Sequence, residues 1–148
     1  MKQKLLPPAL FLLCLIAAAI LHMFVPGRQL WTWPANLVGV ALIVVGIFLL
    51  VIGSRLFARV RTNINTFLRP DKLVTDGPFR YSRNPMYVGF VLVLLGICVT
   101  LGTLSPFAVV VAFFAVANYW YIPIEERNCA GAFGEEYARY QDQVRRWL

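Results

Sequence analysis

The chain has 148 residues and a formal net charge of +7, and 59% of its residues are hydrophobic while only 14% are charged. A soluble domain carries about a quarter charged residues, and one of this size leaves much of its surface facing water. The composition therefore excludes an ordinary soluble domain and predicts an integral membrane protein, and the length allows a single domain.

Four stretches lack Asp, Glu, Lys and Arg and approach the length of about 20 residues that a helix needs to cross roughly 30 Å of hydrocarbon. We predict transmembrane helices at residues 5–25, 35–54, 86–101 and 104–124. The expected fold is an all-α integral membrane protein of about four transmembrane helices, in a single membrane domain that covers residues 1–148. A cytoplasmic interfacial loop at 55–85 and a C-terminal amphipathic helix at 127–147 complete the prediction.

The first stretch has an alternative interpretation as a cleaved signal peptide, because Lys2 and Lys4 precede an apolar run. That run is longer than the about 7–15 apolar residues of a typical signal peptide. Trp31 and Trp33 follow it, and tryptophan is typical of the membrane interface. We therefore expect this stretch to be retained as a helix.

The distribution of basic residues predicts the orientation, because short cytoplasmic loops collect Lys and Arg. Of the 14 cations, two precede the first span, Arg28 lies in the first loop, seven lie between residues 55 and 83, and four follow the fourth span. Thirteen therefore fall on one side, together with all seven acidic residues. We expect both termini and the central loop in the cytoplasm. The positive charge then reflects topology and membrane lipids as partners, not nucleic acid.

Small residues recur at helical spacing within the spans. Gly39, Gly46 and Gly53 are seven residues apart, and Gly89 and Gly96 repeat the spacing in the third span. Small residues let membrane helices approach closely. We expect these faces to pack against other helices.

The cysteine and histidine residues give little indication of catalytic or metal-binding chemistry. Cys14 and Cys98 lie in apolar spans, where cysteine behaves as a small hydrophobic residue, and Cys129 is isolated. The pattern predicts neither a disulfide framework nor a metal site. The single histidine, His22, lies near the outer end of the first span, and we expect no partner for it.

Two segments outside the spans have one apolar and one charged face, which suits a helix lying in the membrane interface. Their apolar positions are Leu56, Val60, Ile64 and Phe67 in the central loop, and Phe133, Tyr137, Tyr140, Val144 and Trp147 in the tail. We expect the tail to be a surface helix without a chemical role.

The start of the third span carries a polar cluster that packing does not explain. Asp76-Gly77-Pro78 predicts a turn, and Pro85 suits the first turn of a helix with Asn84 as its N-cap. Free backbone N–H groups beside Arg80 and Arg83 suit a carboxylate. A capped helix start, with the arginines reaching lipid headgroups, is an equally simple interpretation.

A second polar cluster, Glu125-Glu126, follows the fourth span. Adjacent carboxylates at a membrane border are costly unless they are hydrated or given partners. The hairpin of the third and fourth spans returns them to the side of Arg83 and Asn84. Both a structural ion pair and a role in ligand binding fit this pattern.

From residue 73 to the C-terminus, the sequence resembles the isoprenylcysteine carboxyl methyltransferase family, which groups with the phospholipid methyltransferases. The family places a His-Pro pair and then a Gly at the start of one helix, and a Glu-Glu pair after the next helix. The matching residues here are Asn84, Pro85, Gly89 and the pair Glu125-Glu126. The flanking stretches Leu73-Val74-Thr75 and Phe133-Gly134-Glu135-Glu136-Tyr137 agree with the family as well.

The resemblance implies an S-adenosyl-L-methionine-dependent methyltransferase that releases S-adenosyl-L-homocysteine. The residues that it implies at the cofactor site are Lys72, Leu73, Val74, Phe79, Asn84, Pro85, Met86, Tyr87 and Glu125. We expect Arg83 and Glu126 to be catalytic, with Glu126 as the nearby candidate for a base. The family's His is Asn84 here, as in many bacterial-type members, so this position supplies no imidazole base. We accordingly expect the plasma (inner) membrane of a bacterium.

The methyl acceptor stays open among three classes. These are a prenylcysteine-like carboxylate, which the family name favours, a phospholipid amine, and a small thiol or other lipophilic compound. Eukaryotic members carry an Arg shortly before the Glu pair that is linked to substrate, whereas residues 120–123 here are Trp-Tyr-Ile-Pro. We expect a lipophilic or lipid-linked substrate that approaches through the bilayer.

A different class of function is a non-enzymatic membrane scaffold or a small transporter. Transport usually leaves ionisable residues or broken helices at mid-membrane. The spans here hold Asn118 near one end and none of the charged residues. The sequence does not indicate an oligomeric state.

Overall fold

The computed structural model describes residues 5–62 and 65–148. These residues form six α-helices, which are α1 (Pro7–Phe24), α2 (Leu37–Val60), α3 (Pro85–Leu101), α4 (Phe107–Val116), α5 (Ile122–Phe133) and α6 (Glu135–Gln143). A 3₁₀ turn at Gly77–Arg80 precedes α3, and a π-helical turn at Ala117–Tyr121 joins α4 to α5. Lys2 and Lys4, on which the signal-peptide interpretation depends, and Ile64 of the predicted interfacial stripe lie outside the described residues.

Three helices are long and apolar enough to cross a membrane: α1, α2 and the continuous helix Phe107–Phe133. The apolar helix α3 is shorter, with 17 residues. No β-strand is formed in the described parts of the chain. The prediction of an all-α multi-pass membrane protein is therefore confirmed.

The helix boundaries differ from the predicted ones on the side that carries the polar clusters. The helix containing the fourth span continues through Glu125 and Glu126 and breaks only at Gly134, whose φ of +51° favours glycine. Pro123 lacks the N–H that an α-helix needs, and the π-helical turn before it absorbs this interruption without ending the helix. The helix predicted at 127–147 is broken at Gly134: residues 127–133 belong to α5, α6 covers Glu135–Gln143, and residues 144–148 lie outside both helices.

The central loop also begins later than the predicted residue 55. Helix α2 continues to Val60 and ends at Arg61, which adopts the left-handed conformation. Arg55 and Arg59 are therefore exposed on its last turns.

Helices α2 and α3 pack with their backbones in contact, through the glycines that recur every seven residues. A Cβ atom built on Gly46 would lie 2.7 Å from the carbonyl oxygen of Gly89, and one on Gly89 would lie 2.9 Å from the oxygen of Gly46. Gly39 and Gly96 make the same contact about two turns away along the helix pair. The expected packing role of these glycines is therefore confirmed.

The core lies where α1 crosses α3 and α4. Small residues Cys14 and Ala18 are buried on α1, and Phe11 stacks at 4.9 Å between ring centroids on Phe90 of α3. Phe90 in turn contacts Phe113 of α4 at 5.8 Å. This aromatic core continues towards the end of the bundle that carries the polar clusters.

At the opposite end of the bundle, the turn between α3 and α4 folds back onto the first helix. Nδ1 of His22 lies 2.9 Å from Oγ1 of the buried Thr103, and the indole N–H of Trp31 donates to the carbonyl of Val99 at 2.7 Å. The expectation that His22 has no partner is therefore wrong, because a contact between residues so far apart in sequence depends on how the helices fold together.

Two glycine-to-alanine substitutions should have opposite effects on stability. Gly102 ends α3 with φ +71°, and an added Cβ would lie 2.6 Å from the carbonyl oxygen of Trp31, so Gly102→Ala should lower the free energy of unfolding by more than about 1 kcal/mol. Gly131 lies inside α5 with open space around it, so Gly131→Ala should raise that free energy by about 0.5–1 kcal/mol. Thermal unfolding of the two variants in detergent measures both. Equal melting temperatures would contradict the expectation.

Candidate functional site

A cavity of about 330 Å³ lies at the end of the bundle where the polar clusters meet. Its walls come from the start of α1, the loop before α3, the first turns of α3, and the facing sides of α5 and α6. The hairpin of α3 and the α4–α5 helix brings these parts together, as the sequence predicts.

All eleven residues predicted for the cofactor site and for catalysis line this cavity. They are Lys72, Leu73, Val74, Phe79, Arg83, Asn84, Pro85, Met86, Tyr87, Glu125 and Glu126. Arg80 is not among the lining residues, because its side chain is exposed and pairs with Asp76 at 3.2 Å. The chemical roles of the eleven residues stay predictions.

Glu125 has hydroxyl partners in place of cations. The hydroxyl of Tyr87 donates to Oε1 of Glu125 at 2.7 Å, and the hydroxyl of the buried Thr66 also hydrogen-bonds to this carboxyl group. Among the described residues, no Lys or Arg forms an ion pair with it. Its carboxyl group therefore faces the cavity without a counter-ion among the residues that the structure describes.

Glu126 has the opposite environment. Its carboxylate accepts two hydrogen bonds from Arg146, from Nη2 at 2.6 Å and from Nε at 3.1 Å, and it pairs with Nη1 of Arg83 at 3.3 Å. Such a fork between a guanidinium and a carboxylate is the strongest ion-pair geometry available to side chains. Of the two interpretations of the Glu pair, the ion pair describes Glu126.

Arg83 keeps hydrogen-bonding capacity in the cavity wall. Its side chain is only 12% exposed, and its Nε and Nη1 atoms are buried without a hydrogen-bond partner in the described parts of the chain. Nη1 is close enough to Glu126 for an ion pair but is not aligned for a hydrogen bond. Leaving buried donors unsatisfied is costly, so the site is suited to an added acceptor.

Asn84 occupies the N-cap position of α3, as predicted, but its side chain does not cap the helix. Its Nδ2 atom donates instead to the carbonyl oxygen of Arg146 at 2.9 Å. The expected capping bond is thus replaced by a contact with the C-terminal segment. A sequence pattern cannot predict which group the Asn84 side chain binds, because the carbonyl oxygen of Arg146 lies 62 residues away along the chain.

Two tyrosines of α6 complete the wall, although the sequence suggested a surface helix without a chemical role. The hydroxyl of Tyr140 donates to the carbonyl of Phe79 at 2.6 Å, and burial raises the pKa of Tyr140 to about 12. Burial raises the pKa of Tyr137 as well. The three-residue spacing of these tyrosines indicated a buried face, but not the cavity against which it packs.

Three further residues of the site were missed. Thr66 carries no recognisable pattern, and Arg146 reaches the site only through the folded tail. Asn128, which lines the cavity, donates to the carbonyl of Thr66 at 3.1 Å. Its position one turn after Glu125 on the same helix was the available signal.

Comparison with known proteins gives two relatives. Over 127 residues the chain is 30% identical to Protein-S-isoprenylcysteine O-methyltransferase B of Arabidopsis thaliana, and the match covers 82% of this chain and 62% of that protein. The chain thus spans less than two thirds of this relative. Over 63 residues it is 40% identical to an uncharacterised protein of Haemophilus influenzae, covering 43% of this chain and 100% of that protein. No solved structure matches the chain significantly.

A family model covers most of the chain. Residues 34–136 match the model of the phospholipid methyltransferase family, and this stretch contains α2, α3, the continuous α4–α5 helix and both polar clusters. Together with the Arabidopsis relative, the match confirms the family resemblance that the motifs indicated. This membrane protein therefore belongs to the phospholipid methyltransferase family.

Proposed function

We propose that the chain is an S-adenosyl-L-methionine-dependent membrane methyltransferase whose cofactor binds in the cavity at Glu125. The observation that carries the proposal is the pairing of two groups in one cavity. One is a carboxyl group that has no counter-ion within residues 5–62 and 65–148, and the other is a buried guanidinium whose Nε and Nη1 atoms have no hydrogen-bond partner among those residues. The volume of about 330 Å³ falls in the range of about 300–1,000 Å³ that small-molecule sites occupy.

The charges of the cofactor match these two groups. Its amino-acid part carries a carboxylate, which suits the free donors of Arg83. Its ammonium and sulfonium groups are cations, which suit Glu125 and the faces of aromatic side chains such as Tyr87. Lys72, Leu73, Val74, Phe79, Asn84, Pro85 and Met86 supply the remaining wall. When bound, the cofactor supplies an activated methyl group.

The residues of the chain then have to orient the acceptor and exclude water. Glu126, fixed by two arginines, holds Arg83 in place, and this positioning role fits its geometry better than the role of a base. A carboxylate or thiolate acceptor needs no proton removed before attack, whereas an amine does. The site therefore favours a carboxylate or a thiolate over an amine, and the name of the Arabidopsis relative supports O-methylation of a carboxylate.

The apolar wall supports a lipophilic acceptor. Leu6, Pro7 and Pro8 at the start of α1, together with Phe90 of α3, line the cavity on the side of the membrane-spanning helices. We infer that the acceptor reaches the site from the bilayer, between α1 and α3.

The exposed cations support an orientation with the cavity at the cytoplasmic face. Arg55 and Arg59 on α2, Arg127 on α5 and Arg139 on α6 are exposed on the elements that surround the cavity. Short cytoplasmic segments collect such residues. We propose a bacterial plasma membrane location with both termini in the cytoplasm.

Calorimetric titration of the purified protein with S-adenosyl-L-homocysteine tests the proposal. We expect saturable binding with a raised melting temperature, because a ligand that binds only the folded state stabilises it. Absence of binding at millimolar ligand would overturn the proposal and favour a non-enzymatic scaffold. Transfer of a radiolabelled methyl group to membrane extracts then separates a carboxylate acceptor from amine and thiol acceptors, because methyl esters release methanol in base whereas N-methyl and S-methyl groups do not.

A further inference from the structure

Residues 144–148, here called the C-terminal strap, follow α6 without helical structure and run along the site; Val144, the first of them, has an extended backbone. The carbonyl oxygen of Arg145 accepts a hydrogen bond from the backbone N–H of Arg83 at 2.9 Å. The carbonyl oxygen of Arg146 accepts from the side chain of Asn84 at 2.9 Å, and its guanidinium holds Glu126. The strap therefore contacts three residues of the cavity wall from outside the cavity.

The far end of the strap is fixed to the fourth membrane helix. The indole N–H of Trp147 donates to Oδ1 of Asn118 at 2.9 Å, and its ring stacks on Phe114 with centroids 4.6 Å apart. Asn118 lies in the π-helical turn and is the polar side chain that the spans left unexplained. A polar side chain without a hydrogen bond is costly within a membrane helix, so the bond from Trp147 satisfies the amide oxygen of Asn118.

We propose that the strap is a positioning device for the cofactor site and that Trp147 is the residue that anchors it. Trp147 is not among the residues that line the cavity. Its effect passes through the backbone of Arg145 and Arg146 to Arg83, Asn84 and Glu126. The consequence for cofactor binding rests on the proposed function, whereas the anchoring itself does not.

Removal of the anchor should loosen the strap and weaken ligand binding together. In the full chain, Trp147→Ala should raise the dissociation constant of S-adenosyl-L-homocysteine about tenfold or more, and Trp147→Phe, which keeps the stacking and loses the N–H, about threefold. Asn118→Leu should raise this dissociation constant by the same factor as Trp147→Phe. The double variant, Asn118→Leu with Trp147→Phe, should raise it no further than either single variant. Tyr119→Ala is the matched control, because it removes an exposed aromatic ring from the same turn without touching the strap.

Hydrogen exchange provides a measurement that needs no ligand. The amide of Arg83 is bonded to the strap, whereas the amide of Val88 is bonded to Asn84 within α3. Trp147→Ala should therefore accelerate exchange at Arg83 and leave Val88 unchanged.

The outcomes separate this proposal from the proposed function. Unchanged exchange at Arg83 in Trp147→Ala overturns the anchoring role. Faster exchange with an unchanged dissociation constant, or a lower melting temperature alone, shows a merely structural tail and overturns the positioning role. If the wild-type protein binds no ligand, the proposed function and the positioning role fall together, and the exchange experiment still decides the anchoring.

Discussion

Glu125→Gln is expected to weaken binding of S-adenosyl-L-homocysteine about 30-fold or more, because removing one partner of a buried charge pair typically costs about 2–5 kcal/mol. The amide has nearly the same shape and can still accept the hydrogen bond from Tyr87. What is lost is the negative charge that the ligand's cationic group needs. Since no Lys or Arg in the described parts of the chain pairs with Glu125, the ligand-free protein should keep its melting temperature. Calorimetry and thermal unfolding measure the two effects separately.

The neighbouring carboxylate provides a matched control. Glu126→Gln makes the same chemical change but breaks the ion pairs with Arg83 and Arg146. Breaking a buried ion pair leaves uncompensated charge, so Glu126→Gln should destabilise the ligand-free protein by about 3 kcal/mol at most. The exposure of Arg146 to solvent reduces this cost. Wild-type affinity in Glu125→Gln would contradict the assignment of this residue to the cofactor site.

Gly46→Ile is expected to produce a large loss of stability in the bundle. Its first added carbon would lie 2.7 Å from both the oxygen of Gly89 and Cγ2 of Val93, so α2 and α3 would have to separate. Overpacking of this kind typically costs about 1–3 kcal/mol, and it costs more where the obstacle is backbone that cannot turn away.

Val44→Ile is the control for this substitution. Val44 lies on the same helix with 61% of its surface exposed, so its enlargement meets no neighbouring helix. Thermal unfolding in detergent should show a clear fall in melting temperature for Gly46→Ile alone. Equal melting temperatures for Gly46→Ile and Val44→Ile would mean that α2 and α3 do not pack through their glycines.

The membrane-spanning helices could be predicted because hydrocarbon imposes length and composition on any segment that crosses it. The contact of α2 with α3 followed from glycines at seven-residue spacing, such as Gly39 and Gly46. The meeting of Glu126 with Arg83 followed from the hairpin, which brings two distant segments to one end of the bundle. In each case a pattern within one segment was enough to predict how that segment is placed in the fold.

The rest depended on contacts that no local pattern specifies. The ion pair of Glu126 with Arg146 requires the tail to turn back after Gln143, and Thr66 reaches Glu125 only through the path of the central loop. The continuation of the helix past residue 124 was missed because the apolar stretch ends before Glu125, and the end of an apolar stretch does not fix the end of a helix. Amphipathic spacing placed Tyr140 on a buried face, but could not distinguish a lipid surface from a protein cavity.

The short length of α3 has a consequence for the bilayer itself. Its 17 residues span about 25 Å, against roughly 30 Å of hydrocarbon. Such hydrophobic mismatch is relieved when the lipids next to the helix thin the bilayer locally, at a cost of a fraction of a kcal/mol per Å. The first turn of this helix lines the cavity. We therefore expect membrane thickness and acyl-chain length to affect the site, and thinner bilayers should fit this protein better than thick ones.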